Sequence, residues 1–114
     1  MAENVFFQSL LNDLDQAVNF SKIGEINKSR VIARQVAGKA IRAMYEKLQF
    51  PVSPSINPYQ CLILARDNEE LFKPILSDLD ALTTRVNPDY SFPEHFDLIA
   101  SAKNIINFTK NIKG

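Results

Sequence analysis

A chain of 114 residues is expected to form one domain, 1–114, and a chain of this size hides somewhat over ~60% of its unfolded surface, enough for a core without staples. Thirteen basic and thirteen acidic residues cancel, which excludes a global field that would draw nucleic acid or an anionic membrane and leaves only local patches for such binding. The single cysteine, Cys61, excludes an intrachain disulfide and a thiolate metal cage, and suits a reducing compartment.

The opening stretch, MAENVFFQSLLNDLDQ, lacks the basic start and apolar core of a signal peptide, and no run approaches the ~18 apolar residues of a membrane span. The expected setting is cytoplasmic, with no membrane attachment. Asn4 to Ser21 reads as the first helix, because Phe6, Phe7, Leu10, Leu11, Leu14, Ala17, Val18 and Phe20 recur at helical spacing. Gly24 is a stop signal, Glu25 to Lys28 a short connection, and Ser29 a cap for the next helix.

The stretch Ser29 to Gln49 organises the rest. On a helix its apolar residues Ile32, Ala33, Val36, Ala37, Ala40, Ile41, Ala43, Met44 and Leu48 span about half the circumference, so it should touch neighbours on several sides. Gly38 in its middle costs roughly 1 kcal/mol against Ala, and the expected reason is a close backbone approach. The remaining face is basic. Lys28, Arg30, Arg34, Lys39, Arg42 and Lys47 stand there against one acid, Glu46. Such a face is either solvated charge or a binding surface for anions or a partner; Arg30, Arg34, Lys39 and Arg42 are its candidate binding residues.

Pro51, Pro54 and Pro58 end this helix, and PVSPSINP between them is irregular. Asn57 and Pro58 look like the cap and first residue of a third, short helix. Cys61 within it reads as a packing residue rather than a nucleophile. Asp67 to Glu70 breaks the pattern. Pro74 fits the first turn of a fourth helix whose apolar side is Leu71, Phe72, Ile75, Leu76, Leu79 and Leu82. A second irregular loop, RVNPDYSFP, runs from Arg85 to Pro93. Ser91 and Glu94 have capping-box spacing for the last helix, and Lys110 and Lys113 suit its final turn. No segment alternates with period two. The expected architecture is all-α, an up-and-down four-helix bundle with a short extra helix.

Catalytic signatures are sparse. Three scattered glycines make no phosphate loop, and one histidine, His95, makes no metal site, so neither cofactor nor metal is expected. One constellation remains. Arg85 at the end of the fourth helix and His95 at the start of the last are joined by a loop, and an arginine can hold a phosphate while a histidine moves a proton. That suits metal-free RNA cleavage through the ribose 2′-hydroxyl. The plain alternative is a capping histidine and a solvated arginine.

The central run ARQVAGKAIRAMYEKL, with Gln35, Ala37, Lys39, Ala40, Arg42 and Ala43, resembles the signature helix of the HEPN domains, a helical family of higher eukaryotes and prokaryotes associated with nucleotide binding. LLNDLDQAVNF looks like that family's opening helix and FPEHFDLIASAKNIINFTKNI like its closing one. The turn TRVNPDY is similar to the Thr-Arg-Tyr-Pro-Asp turn of many members. The resemblance implies a four- or five-helix bundle, a homodimer, and a minimal nucleotidyltransferase partner of the toxin–antitoxin kind. It also implies, for some members, a metal-independent RNase built on Arg, four to six residues, then His. Here nine residues separate Arg85 from His95, so the chain resembles a variant without the standard motif.

Together these readings lead to a non-catalytic HEPN-like binding module, expected to be dimeric, that associates with a nucleotidyltransferase-type protein or a nucleotide or RNA ligand. The alternatives are a toxin-like RNase using Arg85 and His95, and a structural subunit whose contact surface includes Tyr59, Tyr90 and Phe92. Val5, Phe6 and Phe7 cannot all face one core, so one of them is a candidate for an intersubunit patch.

Overall fold

The computed structural model describes residues 2–84 and 97–112, with side chains from residue 5 onward. It is an all-α bundle. The first helix, α1, spans Ala2–Lys22, and α2 spans Ile26–Lys47. Helix α3 covers Pro58–Asp67 and is followed by a single turn, α4, at Glu69–Phe72. A 3-10 turn at Lys73–Ile75 leads into α5, Leu76–Thr83, and α6 spans Leu98–Lys110.

Helix α1 folds because Phe7, Leu10, Leu14 and Ala17 fall on one side and are buried together. It ends as the glycine predicts. Gly24 adopts φ +83°, its N–H donates to the Ser21 carbonyl at 3.2 Å, and the Glu25 N–H donates to the Phe20 carbonyl at 2.8 Å. This paired arrangement satisfies the last orphan carbonyls of the helix. It leaves no room for the expected four-residue connection. Helix α2 begins at Ile26 with Glu25 at its cap position, and the Ser29 N–H already donates to the Glu25 carbonyl at 3.1 Å. Ser29 is therefore not a cap; it is a buried residue in the first turns of α2.

Helix α2 is the centre of the bundle, packing on α1, α3, α5 and α6. Ala33, Val36, Ala37, Ala40, Ile41 and Met44 are buried, as their spacing predicts, and Tyr45 joins them. Gly38 is buried where α3 begins. A Cβ added there would overlap the Pro58 carbonyl, with the carbonyl carbon at 2.5 Å and Cα at 2.6 Å. The close approach expected of this glycine is thus a backbone-to-backbone crossing at the first residue of α3.

The end of α2 repeats the α1 closure with a residue that is not glycine. Gln49 has φ 61°, its N–H reaches the Glu46 carbonyl at 3.1 Å, and the Phe50 N–H reaches the Tyr45 carbonyl at 2.9 Å. A left-handed conformation costs an L-residue roughly 1–2 kcal/mol, which glycine avoids at some expense in chain entropy. Gln49→Gly is expected to raise stability by about 0.5–1 kcal/mol in urea unfolding, read as a higher midpoint at unchanged slope.

Asn57 caps α3 reciprocally. Its Oδ1 accepts from the Gln60 N–H at 2.9 Å, while the Gln60 Oε1 accepts from the Asn57 N–H at 2.9 Å. Beyond α3 the expected fourth helix is divided. Leu71 and Phe72 belong to the α4 turn, Pro74 sits in the 3-10 turn, and only from Leu76 does a regular helix run. A proline cannot donate to a helical ladder, so the chain tightens around it before α5 starts. Helix α6 begins at Leu98, with Asp97 Oδ1 accepting from the Ala100 N–H at 3.0 Å. Asp97 is thus the cap of α6; the capping box expected at Ser91 and Glu94 lies outside the described residues, as do Pro93, Lys113, Tyr90 and Phe92. Leu98 is buried, while Ile99 is only partly so.

An aromatic line ties these pieces together. Tyr45 meets Phe50 at 5.8 Å and Phe72 at 5.7 Å between ring centroids, both edge-on, and Phe72 meets Phe108 at 6.1 Å. Edge-to-face pairs add roughly 0.5–1.5 kcal/mol beyond their burial. Among the described residues, no helix is long and apolar enough to cross a membrane.

Candidate binding surface on the central helix

The basic face of α2 is not uniform, and its members do different things. Arg34 is half-buried. Its Nε donates to the Leu82 carbonyl at 2.9 Å and one terminal nitrogen donates to the Thr84 carbonyl at 3.0 Å. Burial lowers its pKa from the ordinary arginine value, opposed in part by Tyr59. The same last turn of α5 receives two more ties. Tyr59 donates its hydroxyl to the Thr83 carbonyl at 3.1 Å, and Arg66 donates to the Thr83 hydroxyl at 3.2 Å. A helix C-terminus presents free carbonyls and partial negative charge, so cations and hydroxyls collect there. Arg34 therefore secures the fold, and Tyr59, considered above as an exposed contact aromatic, is an anchor of the same turn. Arg30, one turn before Arg34, has its pKa lowered by burial.

Arg42 fastens a loop. Its guanidinium donates to the carbonyls of Ser53 and Ile56, which holds the proline-rich segment 48–57 against α2. It also neighbours Cys61, which is fully buried and whose thiol burial pushes upward in pKa. A buried neutral thiol is a poor nucleophile. Cys61 is expected to be silent to a thiol reagent in the native protein and to titrate one equivalent in denaturant; fast native labelling would show that α3 opens readily.

Lys39 is different. It is exposed, and it forms no side-chain hydrogen bond among the described residues. It lines an open groove of about 680 Å³ together with Phe6, Phe7, Arg42, Ala43, Met44, Glu46, Lys47 and Thr109. Helix α1 supplies the two phenylalanines, which meet edge-on at 5.4 Å. Helix α2 supplies a stripe with Ala43 at its middle, and α6 supplies Thr109, whose hydroxyl is already donated to the Ile106 carbonyl at 3.0 Å. Lys47 closes one end: its ammonium donates to the Ile112 carbonyl at 2.9 Å and lies 5.9 Å from the Phe7 ring centre. The groove thus has an apolar floor and three cations against one acid.

The sequence points to Lys39 and Arg42 but not to their setting beside Phe6 and Phe7. The only hint is that Val5, Phe6 and Phe7 are too many apolar residues for one side of a helix. In the structure Phe7 is buried, Phe6 lies half out along the groove, and Val5 is 68% exposed.

Arg85 and His95 both lie outside the described residues. Among the described residues no cluster of histidine, cysteine or carboxylates is arranged to hold a metal ion. No family model, curated protein or solved structure matches the chain.

Proposed function

We propose that this chain is a non-catalytic, HEPN-like helical binding module. It works as a dimer in the cytoplasm and associates with a nucleotidyltransferase-type protein partner or a nucleotide or RNA ligand. The observation that supports this most is the groove on α2. It pairs an apolar, partly aromatic floor with the cations Lys39, Arg42 and Lys47, and its polar groups hold no nucleophile paired with a base. A site of that composition binds rather than reacts, and its volume lies within the range of roughly 300–1,000 Å³ usual for ligand sites. The exposed Val5 on α1 fits a contact between subunits, and the lone buried thiol fits a reducing setting.

Purification of the chain from its native host at moderate salt tests the reading. A stoichiometric protein, nucleotide or RNA should accompany it, and light scattering of the isolated chain should give the mass of a dimer. A clean monomer with nothing bound, over several growth conditions, would count against it.

A further inference from the structure

We infer that the groove on α2 receives an amphipathic helix with acidic flanks from a protein partner, an inference that rests on the binding-module reading and names its partner by chemistry. Three features of the groove carry it.

The first is spacing. Lys39, Arg42, Ala43, Glu46 and Lys47 fall three, four, seven and eight residues along from the first, so the α2 side of the groove follows two turns of one helix face, about 12 Å in length. A second helix laid along this stripe meets side chains in the same rhythm, the way an amphipathic helix occupies a groove.

The second is depth. Ala43 stands in the middle of the stripe and is only half-buried, while the floor around it is Phe6, Phe7 and Met44. A small residue there permits the roughly 8–10 Å separation at which helix axes pack. The half-exposed Phe6 ring gains burial when that space fills.

The third is charge. The Arg42 guanidinium and the Lys47 ammonium are fixed in place by the main-chain carbonyls of Ile56 and Ile112, and Lys39, on the same helix, is exposed. Among the described residues that line the groove, Glu46 is the one acid. Charges held in place before binding favour a partner of opposite sign, which here means Glu and Asp on either side of an apolar ridge. A nucleotide is the poorer fit. All of α2 in the groove is helix interior, whose N–H groups are spent on its own ladder, so no main-chain cradle for a phosphate is offered.

The test uses the full chain and two labelled synthetic peptides of about four helical turns. One carries leucines at helical spacing flanked by glutamates, the other the same leucines flanked by lysines, and binding is read by fluorescence anisotropy at low and moderate salt. The acidic peptide should bind saturably, about tenfold or more tighter than the basic one, with the difference shrinking as salt rises. Lys39→Glu, a change at an exposed position, should reverse or abolish that preference. Ala43→Trp should block both peptides while leaving helical circular dichroism unchanged; if that variant fails to fold, the Lys39→Glu reversal decides alone. Equal binding of the two peptides, no saturable binding of either, a preference untouched by Lys39→Glu, or displacement of the acidic peptide by equimolar ATP would each overturn the inference. A partner that co-purifies yet binds unchanged to Lys39→Glu and Ala43→Trp would overturn it too, while leaving the binding-module reading standing.

Discussion

Gly38→Ala should be among the most damaging single substitutions in this protein, although alanine is the better helix former. In an open helix the change would add about 1 kcal/mol of stability. Here the new methyl meets the backbone of Pro58, with Cα at 2.6 Å. A flexible side chain could turn aside, but a main-chain carbonyl at the start of a capped helix cannot. Relief requires α3 to move off α2, which disturbs Cys61, Leu62 and Ala65, all fully buried. Overpacking of a tight core costs typically 1–3 kcal/mol and sometimes more, so a net loss of about 2–3 kcal/mol is expected, or roughly 10 °C in melting temperature for a domain this size. Gly24→Ala provides the contrast. That position has φ +83° but nothing within 4 Å of a new Cβ, so only conformational strain of about 1 kcal/mol applies. Thermal melts of the two variants side by side separate the mechanisms. A Gly38→Ala protein as stable as the wild type would mean that α3 does not cross α2 at this point.

Arg34→Met should be the second large loss, and it distinguishes a structural arginine from a binding one. The substitution keeps the apolar stem and removes both hydrogen bonds to the carbonyls of Leu82 and Thr84. Bonds to a charged donor are worth about 1.5–3 kcal/mol, and partly exposed carbonyls recover some of this from water, so about 2 kcal/mol is expected. Arg34→Lys should recover little of it, because one ammonium does not span two carbonyls as the planar fork does. Tyr59→Phe, which removes a single bond to the Thr83 carbonyl, should cost about 1 kcal/mol. Hydrogen exchange should quicken in the last turn of α5 in all three variants, whereas Lys39→Glu should leave it unchanged. If Arg34→Met kept full stability and instead lost a bound anion or partner, the arginine would belong to the binding surface after all.

These two positions also show what is legible in the sequence. A glycine in the middle of an otherwise apolar helix announces a close approach, and the two caps at Gly24 and Asn57 are written in residue types whose backbone or side-chain chemistry is specific. The breadth of the apolar face of α2 announces its central place in the bundle. The division of residues 69–83 is less legible, because Leu71, Phe72, Ile75, Leu79 and Leu82 keep a helical rhythm through a segment whose backbone tightens at Pro74. Ser29 misleads for a related reason: it has the composition of a cap, but the chain has already turned at Gly24, and a buried serine fits as well. The basic face is legible as a face and not as a set of roles. Arg34 and Arg42 differ from Lys39 only in what lies opposite them, the carbonyls at residues 82–84 and 53–56, and those are separated from α2 by loops whose path the periodicity does not specify. Likewise Phe6 reads as core, and its place along a groove depends on where Ala43 and Lys39 stand on another helix.

The central claim is that this bundle holds a partner and does not cut one. RNA cleavage in chelator, by wild type and by His95→Ala prepared identically, tests it most directly. The account predicts no cleavage above buffer by either protein, with both retaining whatever partner co-purifies. Cleavage by the wild type that disappears in His95→Ala, and again in Arg85→Ala, would contradict it and make the chain an RNase with an unusually spaced pair.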